Sequence, residues 1–172
     1  TTAQLPFLTP IAPRPDAAML ADVPETLTVN QQHLKLVPLT PELLKKYKLN
    51  IAQLISFMTK GTPTWMVQRD LEVQAENKTL YDPEMSFAVL GQNGLPVGVT
   101  IAYQPHNKSH VYLSSFSVHP DFQGTSVASW LLYKTFRTAY LKNIKTAAWE
   151  TIPKINGDDY ARANGYYKRV GI

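Results

Sequence analysis

The stretch that most constrains this chain is VHPDFQGTSVASWLL, residues 118–132. It closes a run of strand-forming residues, turns within a few positions, and passes directly into a helical pattern. No large side chain follows Gln123 until Trp130. The first N–H groups of a helix have no intrahelical partner. Here they sit at the positive end of the helix dipole, at the end of a strand. That arrangement receives an anion, and a phosphate fits it. Gly124 gives the loop conformational freedom, while Thr125, Ser126 and Ala128 keep bulk away from an approaching group. The same residues also fit an ordinary strand–helix turn, with glycine for geometry and Ser or Thr as the cap. On the residues alone both readings stand.

The rest of the chain supplies elements around this turn. HLKLVPL (33–39) reads as a short strand that Pro38 pushes to an edge or a strand end. Thr40 is a good N-cap, Pro41 fits the first helical position and Glu42 complements the dipole. Leu43, Leu44, Tyr47, Ile51, Leu54, Ile55 and Met58 then recur at helical spacing up to Gly61, which predicts one helix. A weaker helix covers Thr64 to Glu76. SFAVL (86–90), PVGVTIAY (96–103) and HVYLSSFSV (110–118) read as three antiparallel strands, the first two joined by the turn GQNG. A helix from Gly124 to about Leu141 follows, then the strand TAAWETI (146–152) and a short helix in GDDYARANGYY (157–167). The order predicts an α/β domain of the α+β type, with a mixed, mostly antiparallel central sheet flanked by helices. Residues 1–25 hold five of the thirteen prolines and read as an extended arm ahead of a single domain over 26–172.

Composition narrows the classes. A chain of 172 residues with 44% hydrophobic and 17% charged residues builds one ordinary core. The net charge of +4 comes from dispersed Lys and Arg residues with no long run, so no nucleic-acid surface is expected. There is no Cys, which removes disulfides, thiolate metal sites and a Cys nucleophile. No apolar run reaches the roughly 18 residues of a membrane span. The N-terminus lacks the basic start and apolar stretch of a signal peptide, so a cytoplasmic protein with no membrane partner is expected. His106 and His110 lack a third ligand, so no metal is expected. NKT and NKS match the glycosylation sequon by chance composition, and Trp65, Tyr81 and Tyr103 are either pocket or core aromatics.

With these residues in view, VHPDFQGTSVASWLL resembles the pyrophosphate loop of the GNAT N-acetyltransferases, Val-x-Pro-x-x-Gln/Arg-x-x-Gly-x-Gly/Ala. Val118, Pro120, Gln123, Gly124 and Ala128 match; Ser126 stands where the family has its central glycine. YARANGYYKRVGI resembles the family's C-terminal segment, through Ala163, Tyr167 and Gly171. Tyr160 replaces the usual Asn there, and Arg169 replaces Lys. The resemblance covers roughly residues 30–172. It implies a GNAT-like acyl-CoA N-acyltransferase fold whose last strand pair lies beyond Ile172, so a truncated C-terminal edge is expected, and with it a possible homodimer.

The resemblance also implies the chemistry: direct acetyl transfer from acetyl-CoA to a primary amine in a ternary complex, with no metal. Phe116, Val118, Gln123, Gly124, Thr125, Ser126, Val127 and Ala128 are then the donor-binding residues. The backbone of Phe116 and Val118 would pair with the pantetheine arm like an added strand. The Val118 N–H would polarise the thioester carbonyl. Tyr167 would protonate the leaving thiolate, and Glu150, with Ser114 and Ser117 orienting water, would take the amine proton. The alternative is a catalytically degenerate module that binds CoA or a protein partner without turnover. The acceptor itself is open: polyamines, antibiotics, peptide N-termini and lysines all fit.

Overall fold

A computed structural model describes residues 9–10, 23–58, 62–77 and 79–149. In chain order they form β1 (Thr9–Pro10), β2 (Thr26–Val29), β3 (Gln32–Pro38), α1 (Pro41–Lys46), α2 (Lys48–Met58), α3 (Thr64–Ala75), β4 (Phe87–Leu90), β5 (Pro96–Tyr103) and β6 (Val111–Val118). A 3-10 turn (Pro120–Phe122), α4 (Val127–Leu141) and β7 (Thr146–Trp149) follow. The strands make one sheet in the order β1-β7-β6-β5-β4-β3-β2. The β6–β7 pair is parallel and the other five are antiparallel. This is the mixed, mostly antiparallel sheet that the sequence predicts. The expected continuation of β7 to residue 152 and the helix at 157–167 lie outside the described residues.

Three boundaries differ from expectation. No strand was expected before residue 33, yet β2 pairs with β3 through a two-residue turn. Asn30 and Gln31 both hold positive φ, 50° and 63°, as a hairpin turn of this hand requires. Only the Asn signals it. The single helix expected after Thr40 breaks at Tyr47, with φ −105° and ψ 19°. Thr40 does cap it, accepting from the Leu43 N–H at 3.2 Å. The helix expected from Gly124 begins three residues later, at Val127, because Gly124 sits at φ 77°.

β5 is the spine of the molecule. Every residue from Pro96 to Ala102 is buried, so the strand reads as an apolar run without alternation, as a strand covered on both faces must. One face carries α4, through Val127, Leu131 and Phe136. The other carries α1–α3, through Leu44, Ile51 and Leu71. Gly98 sets the height of α4 above the sheet: a Cβ there would lie 2.7 Å from Leu131 Cδ1. One helical turn on, buried Thr100 and Thr135 share a hydroxyl hydrogen bond of 2.8 Å between β5 and α4. Val23 packs into the α4-side core, and the Trp130 indole N–H donates to the Pro24 carbonyl at 2.6 Å. No helix among the described residues is long and apolar enough to cross a membrane.

Candidate active site

The site is built on β6, the loop after it and the first turn of α4. Against β5, Ile101 pairs with Ser115 and Ala102 with Leu113, so Ser114 is an inserted residue, a bulge that re-aims the strand beyond it. The Ser114 hydroxyl donates to the Ile101 carbonyl at 3.1 Å, and Ser117 is 3% exposed. Beyond the bulge the His119 N–H donates to the Val97 carbonyl at 2.7 Å, and Ser117 lies opposite Val99. The alternation of an antiparallel ladder then turns the backbone groups of Phe116 and Val118 to the other edge of β6, the β7 side. The described pairing with β7 covers Val111–Leu113 and stops at Trp149.

After Val118 the chain makes its 3-10 turn. The His119 Nδ1 accepts from the Asp121 N–H at 3.1 Å. Gly124 takes its positive φ with nothing within 4 Å of the place a Cβ would occupy, so the backbone is open to a ligand there. The Thr125 hydroxyl donates to the Phe122 carbonyl and receives the Val127 N–H at 3.4 Å. Ser126 precedes α4 in helical conformation and makes no side-chain cap. Val127 is fully buried and Ala128 packs against the same core, so these two present backbone rather than side chains to the loop.

Gln123 turns back towards the protein. Its amide donates to the Val118 carbonyl at 3.4 Å and touches Met58 Sδ at 3.4 Å. It thus joins the end of α2 to the edge of β6. Met58, which meets Gln123 here, stands in the sequence only as part of a helix stripe; nothing in its spacing sets it apart. Between Val118 and Tyr133 the sequence holds a single charged residue, Asp121, so what this stretch itself offers an anion at the helix start is amides and dipole rather than Lys or Arg.

The other candidates separate. Glu150 and Tyr167 lie outside the described residues. Tyr81 is 2% exposed, and its hydroxyl donates to the Leu39 carbonyl. Burial, with Glu42 and Asp82 adding, pushes it well above the ordinary tyrosine range. It is core, not pocket. Tyr103 packs on Tyr112 with centroids 5.5 Å apart, while Trp65 is 61% exposed. Burial, then Lys108, holds His110 below the usual histidine range. Among the described residues no three His, Asp or Glu side chains gather as metal ligands.

An open groove of about 970 Å³ adjoins the loop, walled by α2, the β4–β5 turn and residues 119–122.

The profile of the Acetyltransferase (GNAT) family matches residues 52–172, and the chain belongs to that family. It is an acetyltransferase domain. No curated protein matches it significantly in sequence. Solved structures share its fold. The aminoglycoside N-acetyltransferase AAC(6')-Iy, in complex with CoA, superposes with a TM-score of 0.64 at 19% identity, covering 85% of this chain and 91% of that one. A GNAT-family acetyltransferase from Staphylococcus aureus Mu50 gives 0.61 at 17% identity, covering 80% and 83%. An aminoglycoside acetyltransferase, meta-AAC0020, from an uncultured soil metagenomic sample gives 0.57 at 18% identity, covering 81% and 88%. At these identities the likeness is one of fold.

Proposed function

We propose that this domain transfers an acetyl group from acetyl-CoA to a primary amine. The observation that carries the reading is the start of α4: a helix N-terminus to which Ser126 gives no side-chain cap, beneath a glycine at φ 77° whose Cβ position is open. A pyrophosphate accepts from the amides of this turn, the Ala128 N–H among them. The edge of β6 at Phe116 and Val118 is turned to pair with an extended amide-bearing arm. CoA in complex with the structural relative AAC(6')-Iy agrees with a donor of this kind.

The reaction then needs little. The neutral amine nitrogen attacks the thioester carbonyl carbon. The C–N bond forms, the C–S bond breaks, and the Val118 N–H stabilises the developing oxyanion. The sulfur leaves as thiolate and takes the Tyr167 phenol proton, and Glu150, through water, accepts the proton the amine sheds. The role of Tyr167 comes from the C-terminal motif, and that of Glu150 from its place in the sequence just after TAAW, beside the cleft that the resemblance implies.

The test is calorimetric titration with acetyl-CoA of the parent, Gly124→Val and Gly94→Val. Gly94 also has positive φ, 81°, with open space around it, but lies in the β4–β5 turn. Both variants lose stability by the backbone cost of a side chain at positive φ, about 1–2 kcal/mol. Donor affinity falls at least about tenfold in Gly124→Val alone, the loss of about one charge-assisted hydrogen bond. Equal affinity in all three would remove the loop as donor site. Binding with no acetylated amine from a broad panel would leave a CoA-binding module.

A further inference from the structure

We propose that two copies of this chain pair through the outer face of α3, the helices running antiparallel about a two-fold axis that passes between Arg69 and Asp70. The inference is independent of the acetyl-transfer reading, and it uses a surface far in sequence from the sheet edge at the C-terminus.

The surface is a stripe. α3 sends Val67 and Leu71 into the core. Met66, Arg69, Asp70 and Val73 follow one another at i, i+3, i+4 and i+7, so they share one face of the helix. All four are exposed. Met66 is 40% exposed and Val73 56%, and Trp65, on the flank of the stripe, is 61% exposed. One such side chain on a surface is ordinary. Three on a single helix of 12 residues, about 18 Å long, make an apolar patch of the kind that marks a contact.

The charges choose the occupant. Adjacent positions on a helix do not face each other, so Arg69 and Asp70 do not neutralise one another. Three and four positions from Asp70 stand Met66, Val67, Val73 and Gln74, none of them charged. Around Arg69 the one charged neighbour at that spacing is Glu72, which Lys48 of α2 holds at 2.5 Å. Among the described residues neither Arg69 nor Asp70 has an ion pair. In an antiparallel pair about the axis, Arg69 faces the second copy's Asp70, and Asp70 its Arg69. Met66 then faces the second copy's Val73, and Val73 its Met66. The face is self-complementary, as a two-fold interface requires: opposite charges at the centre and an apolar pair at each end. Parallel helices would set each charge against its own kind, which is repulsive. A purely basic or purely acidic partner would answer only one of the two charges. A contact built on one helix face is smaller than a standard interface, so the dimer is weak and depends on concentration.

The test is sedimentation velocity of the full chain from about 1 μM to about 1 mM, the range in which weak association is read. The parent passes from monomer to dimer as concentration rises. Arg69→Asp and Asp70→Arg each place like charges across the axis and weaken the dimer at least about tenfold. An equimolar mixture of the two variants recovers it, because every facing pair is then opposite in sign. Carrying both substitutions on one chain recovers it too. Far-UV circular dichroism matches the parent throughout, since both positions are exposed. A parent that stays monomeric overturns the inference. So does a dimer that neither variant weakens, which would place the contact on another face, or a mixture that does not recover. None of these outcomes bears on acetyl-CoA binding, so the donor reading stands or falls separately.

Discussion

At the scale of single residues, the chemistry is carried by groups whose surroundings decide their role. Tyr81 looks in sequence like any aromatic near a pocket. In the structure it is a buried donor to the Leu39 carbonyl, with its phenol pushed above the ordinary range mainly by desolvation. The sign follows. A raised folded-state value means that the folded protein keeps the proton longer than the unfolded chain, so this contribution is intact below about pH 10 and is lost as pH rises above it. Urea denaturation from pH 8 to 11 therefore shows stability falling more steeply in the parent than in Tyr81→Phe. Parallel curves would mean the phenol is not desolvated. Tyr81→Phe also costs about 1–3 kcal/mol at pH 8, because the buried carbonyl loses its donor. Gly124 was legible in the sequence because a glycine between a strand and a helix has few other uses. Gly98 was not, since its reason is Leu131, thirty-three residues away. Likewise the side chain of Gln123 was expected among the donor-binding residues, and only the fold reveals Met58 beside it.

At the scale of elements, periodicity marked strands and helices well and their joints badly. β5 and β6 lie where runs of apolar and β-branched residues put them. The break at Tyr47 was invisible, because Leu44 and Ile51 keep the same face buried on both sides of it. The β2–β3 hairpin was missed for a different reason: its turn reads Asn30-Gln31 and lacks the glycine that marks such turns. Gln31 holds φ 63° and is exposed, so its side chain adds strain there with nothing to bury. Gln31→Gly stabilises the protein by about 0.5–1 kcal/mol, since a left-handed conformation costs an ordinary residue about that much or more. Chemical denaturation reads it directly, and a loss of stability would mean the turn has another form in solution. The bulge at Ser114 was equally hidden: a one-residue insertion leaves no trace in composition, yet it re-aims the edge that faces β7.

At the scale of the whole molecule, the two faces of the sheet divide the work. α4 fixes the donor loop from one side, and α1–α3 with the β4–β5 turn frame the groove from the other. The residues just before β2 belong to the first of these. Val23 is buried, Pro24 accepts from Trp130, and the Glu25 carbonyl accepts from the Leu36 N–H at 2.8 Å. A variant lacking residues 1–25 is therefore less stable than one lacking 1–22 by about 2–4 kcal/mol, the burial of one Val side chain plus two acceptors. Equal stabilities would show that these three residues are not held. The sequence placed a boundary by proline content alone, which says where a chain is extended and not what it touches.

The sheet order has a consequence for the protein as it is made. β1, the earliest described strand, pairs with β7, the latest. The hairpins β2–β3, β4–β5 and β5–β6 close between neighbours in sequence, but the β1–β7 contact waits until almost all of the described chain has left the ribosome. Long-range closure of this kind comes late in assembly. Among the described strands the one made first is the last to find its place, and the edge of the sheet nearest the donor side is finished after the hairpins.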